Sequence, residues 1–295
     1  MPISSHKQPL FGGALHTLVS DRSAGIVHPD HPDFAQRIDE LRAESGADVI
    51  LAQALEMKTG IADLRAGAPL EAGKVPGFIR TKDKADGVIF PAGGIEVDQV
   101  RKKTAALLMV GDSPGVTVYD MDNDVIGFLN GSMECLDPAD GGDGIVTKLL
   151  AMLKATGSDP RSIRMAVSAC AQACCFGYDM STAQNAPRHA RLTGRYGADV
   201  ITPAITYPPR TGNGIDLPLI AKRQAELAGV DPAHVTIDPL CTSHDGVDLA
   251  TLTVGMAVDP AGQGRFYSGV RGATMGAKQT PPVKWNQRGA MMVWA

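Results

Sequence analysis

Residues 107–130 read LLMVGDSPGVTVYDMDNDVIGFLN, three apolar runs parted by two polar turns. Leu107-Leu108-Met109-Val110 is a short continuous apolar run. Gly111-Asp112-Ser113-Pro114-Gly115 is a loop with two glycines and a proline. Val116-Thr117-Val118-Tyr119 is β-branched and aromatic, residues 120–124 form a polar turn, and residues 125–129 are a third apolar run. Apolar runs this short, bounded by turn formers, predict buried strands. Ser113 and Asn130 stand at strand ends, where small-molecule sites are usually built.

Outward from this stretch the pattern alternates strands with helices. Phe34, Ile38 and Leu41 recur at i, i+4 and i+7, which predicts a helix opening near residues 30–33 and ending at Gly46. Ile145, Leu149, Met152 and Leu153 predict a second, with Asp143 as its N-cap and Gly157 as its stop. A third starts at Asp216, carries Pro218 in its first turn and ends at Gly229. Strands are expected in residues 9–27, at 49–52, 88–90, 163–167, 199–202 and 235–237, over 247–258 and from 264. Residues 59–87 read as a loop-rich excursion with short strands at most, and 280–295 as a loosely specified tail. With neither a Pro/Ser-rich linker nor a repeat of fixed period, a single α/β domain over 1–295 is expected.

The 295 residues are 44% hydrophobic and 20% charged with a net charge of −4, as in ordinary globular chains. The densest basic cluster is Arg101-Lys102-Lys103, so neither nucleic acid nor an anionic membrane is an expected partner. No apolar run approaches the roughly 20 residues of a membrane span. The opening MPISSHKQPLFGG lacks the apolar core of a signal peptide, and a cytoplasmic protein is expected. Abundant Ala, Gly and Pro suggests a GC-rich bacterial genome. Five cysteines, an odd count in a large chain, argue against a disulfide framework.

The candidate chemical groups each have a plain structural alternative. His28 and His31 lie in a turn before a helix and read as a solvated pair. Cys170, Cys174 and Cys175 could bind a soft metal, but two further ligands at recognisable spacing are not evident, so buried structural thiols are expected. Ser113 lies outside any G-x-S-x-G pattern and reads as a turn-capping hydroxyl. A thiolate at Cys174 or Cys175 would need a nearby base or cation that the sequence does not display. Gly141-Gly142-Asp143-Gly144 precedes a helix but carries acidic residues that repel phosphate. Arg188, Arg191, Arg195 and Arg210 read as a solvated surface rather than an anion site. Arg271, after a strand end, is the better ligand contact.

Residues 107–132 resemble the core motif of the laccase-domain family, also called the multicopper polyphenol oxidase or purine nucleoside phosphorylase-like family. That motif runs V-L-T-A-D-C-x-P-V-L-x-x-D and then, about six residues on, A-A-H-A-G-W-R-G. AVSACAQACCFGYD resembles the family's G-P-C-I-G-x-C-C-Y-E-V segment, and RFYSGVRGATMGA its F-F-S-x-R-R-x-x-x-T-G-R segment. ADVILAQALEMKT is similar to L-x-Q-V-H-G-x-x-V, and the segment from Asp216 to Thr242 to the family's D-L…C-T segment. The five matches keep the family's order across residues 10–277.

The resemblance implies a layered α/β sandwich with mixed β-sheets, shared with toxin deamidases. It also implies a His-Cys-His triad for zinc or copper, and activities among purine nucleoside phosphorolysis, adenosine deamination, phenol oxidation and peptidoglycan editing. Here the triad positions fall on Leu55, Ser113 and Asn130. Leucine has no lone pair, and serine and asparagine are weak neutral ligands. The expectation is therefore no metal and no other cofactor, and a small-molecule ligand, nucleoside-like or a specialised metabolite. Asp112, Ser113, Asn130, Cys174 and Cys175 are the candidate catalytic groups. Gln53, Thr242, Ser268 and Arg271 would line the ligand. A non-catalytic binding descendant is the first alternative. The second is a metal enzyme with ligands relocated to His16, His28, Cys135 or the Cys174-Cys175 pair.

Overall fold

In the computed structural model, which describes residues 5–20, 29–110, 112–183, 185–202, 212–242 and 289–295, the central stretch forms three strands divided between two sheets. The chain opens with the hairpin β1 (Ser5–Leu10) and β2 (Leu15–Ser20), then helix α1 (Phe34–Ser45) and strand β3 (Val49–Ala54). Next come β4 (Ile61–Asp63), β5 (Leu70–Ala72), β6 (Phe78–Lys84) and β7 (Gly87–Pro91), and a small hairpin, β8 (Ile95–Val97) and β9 (Val100–Lys102). The central stretch supplies β10 (Thr104–Val110), β11 (Gly115–Asp120) and β12 (Val125–Asn130). Helices α2 (Met133–Leu136) and α3 (Ile145–Ala155), β13 (Ile163–Val167), β14 (Gly177–Tyr178) and α4 (Ala186–Tyr196) follow. The remainder comprises β15 (Ile201–Thr202), β16 (Asn213–Ile215), α5 (Leu217–Leu227), β17 (Val235–Ile237) and β18 (Gly289–Trp294).

One sheet runs β1-β2-β18-β10-β3-β6-β5, the other β17-β13-β11-β12-β7-β4. Both are mixed. β10 is parallel to β3 and antiparallel to β18, while β13 is parallel to β17 and antiparallel to β11. The two sheets face each other over Leu51, Leu108, Phe90, Ile126, Phe128 and Val293. On its outer face the first sheet turns Ile50, Leu107 and Met292 to α1, which offers Phe34, Ile38 and Leu41. The second sheet turns Val118 and Met165 toward α3 and α5, through Leu149, Leu153 and Ile220. The layers are helix, sheet, sheet, helix. The central strands of both sheets are therefore buried on both faces, which is why they read as continuous apolar runs rather than as alternation. Each large side chain so buried contributes about 2 kcal/mol.

The expected layered α/β sandwich is the fold observed. Several local expectations need correction. The expected loosely specified tail ends in a strand: β18 lies inside the seven-stranded sheet between β2 and β10, with Met291, Met292 and Val293 buried. The excursion at 59–87 contains a full seven-residue strand, β6, which pairs with β3 in parallel. Its glycines shape the ends of the strands rather than preventing them. Helix α3 is capped by Gly144, not by Asp143, and the first-turn N–H of Thr147 is met from outside by Gln224 of α5 at 3.4 Å. The Asp216 cap of α5 is as expected, its carboxylate accepting the Leu219 N–H at 2.8 Å.

The basic stretch at 179–197 holds helix α4, and its arginines are not merely solvated. Arg188 and Arg191 reach the fully buried Asp137 at 3.2 and 2.7 Å, and Arg195 donates to the carbonyls of Gly141 and Gly142. A carboxylate without exposure needs such partners to offset its desolvation. Arg210 and the strands expected at 247–258 and from 264 lie outside the described residues.

Candidate functional site

The chain crosses from one sheet to the other between β10 and β11, with residues 112–114 on the way. Four segments meet here. The Pro114 carbonyl accepts the Gly131 N–H at 2.8 Å, and the Asp112 carbonyl accepts the Ala171 N–H at 3.0 Å. Gly115 and Ser168 exchange two bonds, Gly115 N–H to the Ser168 hydroxyl at 2.9 Å and Ser168 N–H to the Gly115 carbonyl at 3.0 Å. Thr242 N–H reaches the Cys170 carbonyl at 2.9 Å. The approach at Gly131 is close enough that a Cβ there would stand 2.8 Å from Pro114 Cγ and 2.9 Å from its carbonyl oxygen.

Strand direction explains the convergence. β13 and β17 are parallel, so the segments that follow both emerge at one end of the six-stranded sheet. β11 begins and β12 ends there, since Gly115 pairs with Asn130. In the other sheet β3 and β10 run parallel and end on the same side, and Gln53 Nε2 bonds to the Phe128 carbonyl across the gap at 2.8 Å. Asp112, Ser113, Asn130, Cys174, Cys175, Thr242 and Gln53 thus share one end of the sandwich. Ser268 and Arg271 lie outside the described residues.

These side chains differ in what they are free to do. Asp112 and Ser113 are half-buried, and the Ser113 hydroxyl makes no hydrogen bond to a described residue. Asn130 is fully buried: Nδ2 meets Met57 Sδ at 3.4 Å and Oδ1 accepts the Ser132 N–H at 3.2 Å. Its geometry is that of a turn cap. Gln53 is 4% exposed and its Oε1 has no partner among the described residues. An orphaned buried acceptor of this kind costs about 1–3 kcal/mol unless a ligand or water meets it.

The thiols form a cluster. Cys174 Sγ lies 3.8 Å from Cys175 Sγ and 3.7 Å from Cys241 Sγ. The sequence offered no further ligand for the Cys174-Cys175 pair; Cys241 supplies one because its segment follows the parallel neighbour of β13. At Cys174 the contact with Cys175 lowers the pKa, the contact with Cys241 and burial raise it, and the net is about 11. Contacts with Cys174 and Cys241, then burial, push the Cys175 thiol up as well. Both are therefore protonated near neutral pH, a poor state for a nucleophile. Of the other relocated ligands, His16 stacks on Trp294 at the opposite end and fully buried Cys135 receives the Ser132 hydroxyl at 3.1 Å, so these two do not join the cluster, and His28 lies outside the described residues.

Two contributors had no sequence signal of their own. Asp86 is fully buried and accepts the N–H groups of Glu56, Met57 and Lys58 at 3.3, 3.0 and 2.8 Å, holding the loop after β3. Gln172 donates through Nε2 to the carbonyls of Asp238 and Leu240 at 3.2 and 3.4 Å, joining the two segments that carry the thiols. Recognising β13 and β17 as parallel neighbours would have pointed to Gln172. A cavity of about 380 Å³ lies at the opposite end, walled by Tyr119, Asp124 and Trp294, and none of the candidate residues lines it.

Fold and loop convergence together define a laccase-type α/β sandwich. Residues 99–249 match the family described as multi-copper polyphenol oxidoreductase laccase, and the chain belongs to that family. Among solved structures it resembles YlmD from Geobacillus stearothermophilus, with a TM-score of 0.65, 13% identity and coverage of 95% of this chain and 92% of that one. The hypothetical protein YfiH from Bacillus licheniformis gives 0.62, 13%, 95% and 92%. A Neisseria meningitidis protein gives 0.59 and 15%, over 100% of this chain and 99% of its own. At these identities the likeness is one of fold. No curated protein matches the sequence significantly.

The family's zinc or copper does not fit the triad positions found here. Leu55 is a half-buried hydrocarbon packed on the inter-sheet core, and both amide atoms of Asn130 are engaged internally. That leaves the Ser113 hydroxyl as the remaining oxygen of the three, and one neutral hydroxyl does not hold either ion. Among the described residues no helix is long and apolar enough to cross a membrane.

Proposed function

We propose that this protein is an enzyme acting on a small organic molecule, nucleoside-like or a specialised metabolite, without a metal at the family's triad. The observation that carries the reading is the pairing of half-buried Asp112 and Ser113 at the point where four segments converge, at and beside positions that the resemblance assigns to the family's triad and that hold no strong metal donor. Asp112 is the candidate acid or base and Ser113 the hydrogen-bonding group that orients the substrate. Gln53 Oε1 would accept a substrate N–H or O–H, and Thr242, Ser268 and Arg271 would complete the wall. Five thiols without a disulfide suit a reducing compartment and support a cytoplasmic location.

The test is a turnover assay of the purified protein on nucleosides and on phenols, run with chelator and with added copper. Turnover that persists in chelator and falls at least about tenfold in Asp112→Asn supports the reading. Turnover that requires copper, or that is unchanged in both Asp112→Asn and Ser113→Ala, overturns it. One observation favours a second reading, a non-catalytic binding protein: Asn130 is fully committed to its neighbours and the thiols are protonated, which leaves few described groups for proton transfer. Saturable binding of a nucleoside with no turnover is its expected signature.

A further inference from the structure

Among the described residues, three side chains able to share one metal ion come together away from the triad positions: the Sγ atoms of Cys174, Cys175 and Cys241 all lie within 4.8 Å of one another. Metal–sulfur bonds of about 2.3 Å set thiolates around one ion roughly 3.8 Å apart in a tetrahedral edge, or roughly 4.0 Å in a planar triangle. The spacings of 3.8 and 3.7 Å from Cys174 are those of ligands already at coordination distance. They are far beyond the roughly 2.05 Å of a disulfide bond. Thiols packed only as small apolar groups have no need to turn three sulfurs to one point.

The surroundings keep them there. Thr242 N–H binds the Cys170 carbonyl at 2.9 Å, and the Gln172 N–H points at Cys241 Sγ from 3.4 Å, a contact that favours a thiolate. Gly214 of β16 presses so closely under the loop that a Cβ would stand 2.1 Å from the Ala173 carbonyl oxygen. Cys175 and Cys241 are 1% and 5% exposed, while Cys174 is half-buried and leaves a way in.

We propose that Cys174, Cys175 and Cys241 form a three-thiolate site for a thiophilic closed-shell ion, Zn(II) or Cu(I), which staples residues 170–175 to residues 241–242. On binding, each thiol passes its proton to solvent and its sulfur lone pair to the ion. Zn(II) with three thiolates and one water leaves a net charge of −1, and Cu(I) with three leaves −2. The smaller buried charge favours zinc. The site is independent of the small-molecule reading, because it stands on other side chains.

The full chain is reduced, stripped with chelator, and titrated with Zn(II) or, without oxygen, with Cu(I), each against a chromophoric competitor. One equivalent is expected, with sulfur-to-cobalt charge-transfer bands when Co(II) is the probe. Cys174→Ser, at a half-buried position, should fold as judged by circular dichroism and bind at least about a hundredfold more weakly. Cys241→Ala should do the same, and Cys135→Ala should bind as the wild type. Metal should raise the melting temperature of the wild type and not of Cys174→Ser. Tighter binding of one ion identifies it as the occupant. The proposal is overturned if neither ion binds stoichiometrically, if Cys135→Ala weakens binding as much as Cys241→Ala, or if mass spectrometry finds two of the three sulfurs joined in a disulfide in protein purified under reducing conditions.

Discussion

Asp86 and Asp120 are both fully buried, and they close opposite ends of the six-stranded sheet by different routes. Asp120 binds mainly its own turn: its carboxylate accepts the N–H groups of Asp122 and Asn123 at 3.2 Å each and the Asn123 amide at 2.7 Å, with hydroxyl contacts from Ser158 and, at 3.5 Å, Ser162 beside them. Asp86 binds residues 56–58, some 28 to 30 positions earlier and attached to the other sheet. The first is local turn chemistry that any hairpin could use. The second ties the two sheets together at the end where the candidate groups collect. Bonding at one end is mainly local, with the backbone N–H donors all drawn from the turn itself. Long-range bonding at the other end leaves Asp112 and Ser113 half-buried between segments that no single turn holds.

The strongest way to break this comparison is to delete each carboxylate. Asp86→Ala leaves three donors around a buried site and should cost about 4 kcal/mol in urea unfolding. Asp120→Ala should cost about 2 kcal/mol, because residues 121–124 are exposed and water can replace the lost acceptor. A larger loss at Asp120 would reverse the comparison. Next in size is Gly131→Ala, whose Cβ must displace Pro114; about 2 kcal/mol is expected, together with impaired ligand binding at Ser113.

The smallest effect concerns pH and the turn end alone. Burial, with the hydrogen bond from its hydroxyl to Asp124 at 2.7 Å, pushes Tyr119 up to about 12. A folded value above the unfolded value of about 10 leaves the stabilisation intact below pH 10 and removes it as pH rises through 12. Tyr119→Phe should flatten that decline in unfolding measured at rising pH; an unchanged slope would show that Tyr119 is not its source. Asp120 has the opposite sign. Burial raises its pKa, but hydrogen bonds from Ser158 and Asn123 outweigh it, and the net is a lowered value. Its stabilisation is present above about pH 4 and lost as pH falls through the folded value.

Much of the fold was legible before any coordinates. The predicted runs at 107–110, 116–119 and 125–129 lie within β10, β11 and β12, and the periodic spacing of Phe34, Ile38 and Leu41 places them on the buried face of α1. β6 was missed because a run with several exposed charged residues set between glycines resembles a loop until a partner strand supplies its hydrogen bonds, and β18 because its short apolar run stands alone at the chain's end with no neighbouring strand in sequence. Arg188 and Arg191 were misread for a related reason, since nothing near them in sequence shows that Asp137 is buried.

At the candidate site, Asp112, Ser113 and the thiol pair were visible as residue types, and the motif order placed them at strand ends. Asn130 was visible too, but its two amide bonds to neighbours were not. Asp86, Gln172 and the meeting of Cys241 with Cys174 arise only when parallel strands bring distant segments together.

By itself the sequence determined most of the strands and helices and the residue types at the candidate site, because propensity, periodicity and side-chain chemistry belong to residues and near neighbours. Only the tertiary structure decided that residues 107–130 are shared between two sheets, that three thiols meet, and which polar groups stay open. Those outcomes depend on contacts between segments tens of residues apart, and their cost in chain entropy is met only once both sheets have packed.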